Sequence, residues 1–340
     1  MRNRIRLLLL LLSVLCLSGC RERQSEGKKK VRIGVSVYDG YDTFISELTN
    51  AFREEAAAQQ RSVQIELSDA GRSQEVQDKA VRQMLDNGCD IICVNLVDRT
   101  APGKIIDMAK KKNVPIIFFN RELVEEDLER WDKLYYVGAD AKESGVLQGE
   151  LAAAYLKAHP EADRNQDGVI QYVVLEGEAG HQDAILRTEY AASTLKERGI
   201  ALEKLGYALA NWNRSQAQTQ VQQLLQSYGT RIELILANND DMALGALDAY
   251  RASNIPLPPI FGIDGTEPGL SAVRDQSLTG TVKNNGIGQA EAMLSLALSL
   301  AAGEKSAYTL DRGKYIRIPY EAVSADKDSS ITARSTELSR

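Results

Sequence analysis

The chain is expected to be α/β, with two similar domains, each a doubly wound parallel sheet covered by helices on both faces. Its 340 residues, 44% apolar, are enough to bury about two cores at roughly 150 residues per domain. From residue 31 onward, short β-branched runs alternate with helical stretches, and regular βαβ alternation implies parallel strands. Residues 89–120 and 232–264 also echo one another: each runs strand, Asn- or Asp-rich turn, helix, Pro-bearing strand and polar end.

In order, the pattern predicts a strand at 31–37, a helix from about Asp42, a strand at 63–67 and a helix from about Ser73. Further strands are expected at 91–96, 114–119, 169–175, 232–237, 260–263 and 279–283. Before the first strand lies a targeting segment: Arg2, Arg4 and Arg6, then an apolar run over 7–17, then Ser18, Gly19 and Cys20. Eleven residues are too few to span a bilayer, which takes roughly 20. Leu17-Ser-Gly-Cys20 resembles the bacterial lipoprotein box, which implies cleavage before Cys20, a lipid on its thiol, and residues 21–30 as a polar tether. Ordinary secretion with nearby cleavage is the alternative, and export follows from both.

The formal net charge is −6, and without the three arginines of the leader it is −9. An acidic body with only short basic runs at 28–30 and 110–112 argues against a nucleic-acid partner. Cys16 goes with the leader and Cys20 with the lipid, leaving Cys89 and Cys93. Four residues along a strand rise about 13 Å, beyond the roughly 7 Å Cα limit for a disulfide, so both are expected as buried free thiols. His159 and His181 are the two histidines, neither near the cysteines, and no zinc pattern exists.

Ligands of open parallel sheets bind beyond the carboxyl ends of the strands. Here those ends carry polar groups in a regular series: Asp42 and Phe44, then Asn120, then His181, Asp183 and Arg187, then Asn239, Asp264 and Asn284. Any single one suits a turn or a helix cap, but the ensemble suits a polyol. Asp and Asn pair with vicinal hydroxyls, Arg187 offers a planar fork, and Phe44 or Trp212 can cover an apolar C–H face. A phosphate would call for a Gly-rich loop and Lys, which this set lacks.

Ile33-Gly-Val-Ser-Val-Tyr38, Asn95-Leu-Val-Asp98, Phe118-Phe-Asn120, Tyr135-Tyr-Val-Gly138, Lys142-Glu-Ser-Gly145, Gly177-Glu-Ala-Gly-His181, Ala237-Asn-Asn-Asp240 and Phe261-Gly-Ile-Asp264 closely resemble segments of the periplasmic galactose/glucose-binding proteins, in the type I periplasmic binding protein family. The similarity runs from about Val31 to about Asp326. It implies two α/β domains joined by a three-segment hinge and closing on one sugar. It also implies sugar contacts from Asp42, Asn120, His181, Asp183, Arg187, Asn239, Asp264 and Asn284, with Phe44 and Trp212 stacking. Asp39-Gly40-Tyr41 departs from a more polar, basic pattern at the mouth of the cleft.

Asp163-Arg-Asn165-Gln-Asp167-Gly168-Val169-Ile-Gln171 places oxygen side chains at positions 1, 3, 5 and 9 of an EF-hand-type loop, with Gly at 6. Position 12 is Val174, so the usual bidentate carboxylate is missing. By resemblance to the family it comes from Glu233, with Val169 giving its backbone oxygen, and the metal would be a structural Ca2+.

The expected map is a signal peptide at 1–19, a lipidated tether at 20–30, a first domain at 31–138 plus 284–317, a second at 139–283 plus 318–330, and a tail at 331–340. The expected function is a lipid-anchored, exported binding protein for D-galactose or D-glucose that serves an ABC transporter permease. A sugar sensor read by a chemoreceptor or histidine kinase, and a binder of another monosaccharide, are the alternatives. An enzyme is disfavoured because His181, Asp183 and Arg187 come without a nucleophile elbow, Walker loop or zinc signature. A DNA-binding repressor is excluded because the leader occupies the place of a helix-turn-helix.

Overall fold

A computed structural model describes residues 30–59 and 62–324. The leader, Cys20, the tether before Lys30 and the tail lie outside the described residues. Two six-stranded sheets are present, one in each lobe.

The first lobe begins with β1 (Val31–Val37), α1 (Thr43–Ala58), β2 (Val63–Asp69), α2 (Gln74–Asp86) and β3 (Ile91–Val94). It continues with α3 (Gly103–Lys112), β4 (Ile116–Phe119), a single turn α4 (Glu125–Leu128) and β5 (Leu134–Gly138). β3 and β4 are buried at every position, as expected for central strands covered on both faces. α2 starts where Ser73 accepts the amide of Val76, and α3 ends where Asn113 adopts a left-handed φ of 56°.

The chain then crosses to the second lobe through α5 (Ala141–Ala158), followed by β6 (Ile170–Glu176), α6 (Gln182–Glu197), β7 (Leu202–Leu209) and α7 (Arg214–Tyr228). Next come β8 (Leu234–Ala237), α8 (Asp240–Ser253), β9 (Ile260–Asp264), α9 (Glu267–Arg274) and β10 (Gly280–Asn284). It returns to the first lobe as α10 (Gly286–Ala302) and β11 (Tyr315–Arg317), and crosses a third time into β12 (Tyr320–Ser324).

The strand orders are β2-β1-β3-β4-β5-β11 and β7-β6-β8-β9-β10-β12. Each sheet therefore reverses its winding beside its first strand, at β1/β3 and at β6/β8, and an open crevice forms at the carboxyl ends there. In the first lobe, one face of the sheet packs Phe52, Met293 and Leu294 from α1 and α10, while the other packs Met84, Ile105 and Ala109 from α2 and α3. The second lobe repeats this: Val221 and Leu247 of α7 and α8 lie on one face, and Leu151 and Leu195 of α5 and α6 on the other.

The sequence expectation did not include β5, β11 or β12 as strands, and two further features depart from it. β12 runs antiparallel to β10, because the third crossover is only two residues long and cannot house the helix a parallel return needs. β7 was not anticipated: Leu202–Leu209 is largely exposed and carries Glu203 and Lys204, as edge strands do. Cys89 and Cys93 are free and buried, as expected. Among the described residues, no helix is long and apolar enough to cross a membrane.

Candidate functional site

The carboxyl ends of the two sheets face each other across a cleft of about 340 Å³, counting the part open to solvent. It is lined by Tyr38, Asp42, Phe44, Asn120 and Arg121 from the first lobe and by His181, Asp183, Arg187, Trp212, Asn239 and Asp264 from the second. Nine of the ten residues singled out as sugar contacts are thus brought together. Asn284 is not among the lining residues: it is buried at the end of β10, where its Oδ1 accepts the side-chain amide of Gln289 at 2.5 Å. Tyr38 and Arg121 were missed. Tyr38 follows β1 directly, and Arg121 adjoins Asn120 at the end of β4, which is the signal that could have found it.

Helix capping positions several of these side chains. Asp42 is the N-cap of α1: its Oδ1 accepts the amide of Ile45 at 3.0 Å and its Oδ2 accepts the Tyr38 hydroxyl at 2.5 Å. Asn239 caps α8 by accepting the amide of Met242 at 2.9 Å, while its Nδ2 donates to the carbonyl of Trp212 at 3.3 Å. His181 caps α6 with Nδ1, which accepts the amide of Asp183 at 3.1 Å. Burial, reinforced by the charges of Arg121, Arg187 and Arg99, holds its pKa well below the ordinary histidine value. The imidazole is therefore neutral at pH 7, and because Nδ1 accepts, Nε2 carries the hydrogen and is a donor. The 3.9 Å approach of Nδ1 to the Asp183 carboxylate is accordingly not an ion pair.

Arg187 is the cation of the second lobe. Its Nη1 donates to the carbonyl of Asn238 at 2.7 Å and to Asp264 Oδ1 at 3.4 Å, and its Nη2 donates to the Tyr320 hydroxyl at 3.2 Å and lies 3.7 Å from Asp183. Its Nε is buried without a partner. Burial opposes its charge, but Tyr320, Asp264 and Asp183 outweigh it and the guanidinium stays protonated. Burial raises the pKa of Asp183 and Asp264, with Arg187 pulling both back. The Trp212 ring meets His181 edge to face at 5.1 Å between centroids. Gly177 lies under that indole, where an added Cβ would come within 2.1 Å of the ring.

Three cleft residues also hold a left-handed backbone. Asn120 has φ of 60°, Trp212 of 64° and Asp264 of 111°, conformations that cost non-glycine residues on the order of 1–3 kcal/mol. Asn120 is held there by the Asn95 side chain, which donates to its Oδ1 at 3.0 Å, and by the Tyr136 hydroxyl on its carbonyl at 2.8 Å.

The second predicted site lies away from the cleft, in the loop before β6. Asp163 Oδ2 accepts the amide of Gly168 at 2.8 Å, and its Oδ1 is buried without a partner. Asn165 and Gln171 both donate side-chain amide hydrogens to Asp167 Oδ2, at 2.9 and 3.0 Å. The amide of Val169 holds the Asp167 carboxyl below the usual range. Glu233, from the segment before β8, does reach this loop: its carboxylate accepts the amides of Arg164 at 2.7 Å, Asn165 at 3.3 Å and Gln171 at 3.1 Å. Among the described residues, no three His, Cys, Asp or Glu side chains form a metal-ligating group by themselves.

A cleft between two lobes, built from caps and strand ends with neutral and charged hydrogen-bonding groups in alternation, defines a two-lobed ligand-binding protein. Residues 33–305 match the family model described as periplasmic binding protein domain, and the chain belongs to that family. It is a binding protein and not an enzyme. It is similar to the D-galactose/methyl-galactoside binding periplasmic protein MglB of Haemophilus influenzae, 37% identical over 88% of this chain and 90% of the relative. It is also similar to a xylitol-binding protein of Mycolicibacterium smegmatis, 30% identical over 80% of this chain and 73% of the relative. Among solved structures, an ABC transporter solute binding protein from Bacillus halodurans with bound myo-inositol superposes with a TM-score of 0.74 at 29% identity, over 88% of this chain and 96% of that one.

Beneath Asp264, the fully buried Asp240 accepts hydrogen bonds from Thr281 Oγ1 at 2.6 Å and from the amide of Thr266 at 2.8 Å. Gly262 and Gly269 leave room for it, since a Cβ on either would fall within 2.2 Å of its oxygens. Burial pushes its pKa up to about 7, against those hydrogen bonds. The folded state therefore keeps a proton that the unfolded chain loses near pH 4, so this group's contribution is full in acid and is lost as pH rises from about 4 to 7. Asp240→Asn, whose amide oxygen can still accept from Thr266, is expected to flatten the stability profile over that range by roughly 1 kcal/mol per pH unit. Denaturant unfolding as a function of pH checks this, and an unchanged slope would show that Asp240 titrates normally.

Proposed function

We propose that the chain captures one neutral monosaccharide, D-galactose or D-glucose, between its lobes and delivers it to the permease of an ABC importer. The observation that carries this is the make-up of the cleft: Asp42, Asp183 and Asp264 accept, the His181 Nε2 hydrogen and Arg187 donate, Asn120 and Asn239 do both, and Phe44 of one lobe and Trp212 of the other both line it. Vicinal hydroxyls are donors and acceptors at once, and the aromatic faces suit the C–H surface of a pyranose. Arg187 is already matched to two carboxylates, so an anionic ligand finds no free cation there. The galactoside-binding relative and the inositol-bound neighbour, both cyclic polyol binders by name, support the same reading.

The reading includes a structural Ca2+ in the loop before β6. The donors there are oxygens, the chemistry a hard cation requires, and the orphaned buried Oδ1 of Asp163 is the group a cation would satisfy. Asp163, Asn165, Asp167, Gln171, Glu233 and the carbonyl of Val169 would hold it. Its charge would offset Asp163, Asp167 and Glu233 and brace the loop.

The reading also includes export and a lipid anchor on Cys20. Mass spectrometry of the mature amino terminus is expected to show a diacylglyceryl-modified Cys20, and an unmodified terminus elsewhere would remove the anchor.

Mutation should separate the two sites. Asp264→Ala is expected to weaken hexose binding tenfold to a hundredfold, about 1–3 kcal/mol for an unpaired buried partner, and to leave the response to chelator intact. Trp212→Ala should weaken all pyranoses alike, whereas Asp42→Ala should re-rank galactose and glucose. Glu233→Ala should abolish the drop in melting temperature that chelation causes in the parent protein. Equal melting curves with and without chelator would rule out the cation, and sugar affinity indifferent to Asp264→Ala would rule out the cleft.

A further inference from the structure

Four turns at strand ends meet at one rim of the cleft: Asp39 after β1, Arg72 after β2, Arg121 after β4 and, from the other lobe, Glu178 after β6. Glu178 Oε2 accepts from Arg121 Nη2 at 2.9 Å, and its Oε1 lies 3.6 Å from Arg72 Nη1. Two ion pairs between the lobes thus share one carboxylate. The arginines are held in place independently of it. Arg72 is anchored by Asp39 at 2.5 Å, and Arg121 donates to the carbonyl of Val97 at 2.9 Å and lies 3.6 Å over the Tyr38 ring. The Tyr38 hydroxyl in turn holds Asp42, and the Glu178 carbonyl accepts the amide of His181.

We propose that Glu178 is a positioning residue, a clasp caught by Arg72 and Arg121 when the lobes close, which sets how long the ligand is retained. The inference rests on the monosaccharide reading of the cleft. Contacts at other points between the lobes differ in kind: Thr43 donates to Asp241 at 2.7 Å, and the amide of Glu267 donates to Glu47 at 3.0 Å, neither joining opposite full charges. A further cation, Arg99, stands near and donates to the carbonyl of Glu122.

An ion-pair clasp has a signature that packing lacks. The ligand is uncharged, so its affinity should be indifferent to salt unless closure itself forms charge pairs. The side chains of Arg72 and Glu178 are 40% and 26% exposed, so that pair is open to screening, whereas Arg121 is 5% exposed and its pair is screened less.

The test is stopped-flow release and calorimetric binding of D-galactose and D-glucose at about 20 and 500 mM salt. In the parent protein, affinity is expected to fall about threefold to tenfold with added salt, through faster release. Glu178→Gln should release the sugar about tenfold faster and lose the salt effect. Arg72→Met, which lies outside the cleft lining, should fall between the two, and Arg72→Met with Glu178→Gln should be no worse than Glu178→Gln alone. Salt-independent affinity in the parent protein, or strictly additive effects of the two substitutions, would overturn the clasp.

If neither sugar binds the parent protein, the monosaccharide reading fails while the clasp is still tested. Distances between spin labels on the two lobes, measured without ligand, should then lengthen in Glu178→Gln, and identical distributions would overturn it.

Discussion

Three strands that end at the cleft hand over to helices whose first amides need acceptors, and the side chains that supply them, Asp42, His181 and Asn239, also face the ligand space. Asp42 accepts from Ile45 with one oxygen and keeps lone pairs for the cleft, and Asn239 does the same through Met242. His181 spends Nδ1 on Asp183 and is left with the Nε2 hydrogen. Capping and recognition are one constraint here. A cap is worth about 0.5–2 kcal/mol to its helix, and its geometry orients the remaining polar edge before any ligand arrives. Less side-chain ordering then has to occur on binding, and more of the contact energy appears as affinity.

The charges follow from this arrangement. Asp183 and Asp264 are buried carboxylates whose pKa burial drives up, and Arg187 between them pulls both back. His181 stays neutral because burial and three arginines disfavour its charged form. A cleft whose two arginines are already engaged by carboxylates, with acceptors and donors around them, offers an anion no free cation and suits hydroxyls. The positive φ of Asn120, Trp212 and Asp264 fits the same picture: strain is retained where the direction of a side chain matters more than local stability.

Much of this is legible in the sequence, and the reasons for the exceptions are physical. The βαβ alternation gives the sheets because buried parallel strands must be continuous and apolar, as 91–94 and 116–119 are. Polar residues at strand ends mark the cleft because the winding of both sheets forces those ends together. β7 escapes notice because an edge strand carries charge and is largely exposed, and β12 because its direction depends on a two-residue crossover. Asn284 reads as a ligand by position, yet Gln289 from the next helix takes its oxygen. Tyr38, Arg121 and Glu178 gain their meaning from contacts between segments 57 to 106 residues apart, which no local pattern encodes.

Calorimetric titration of the mature protein with a panel of monosaccharides and sugar acids tests the shared cleft most directly. One molecule of D-galactose or D-glucose per chain, with the matching uronic acid bound far more weakly, is the result predicted by a cleft whose arginines are already engaged by carboxylates. Preferential binding of the uronic acid, or no binding of any neutral monosaccharide, would contradict it.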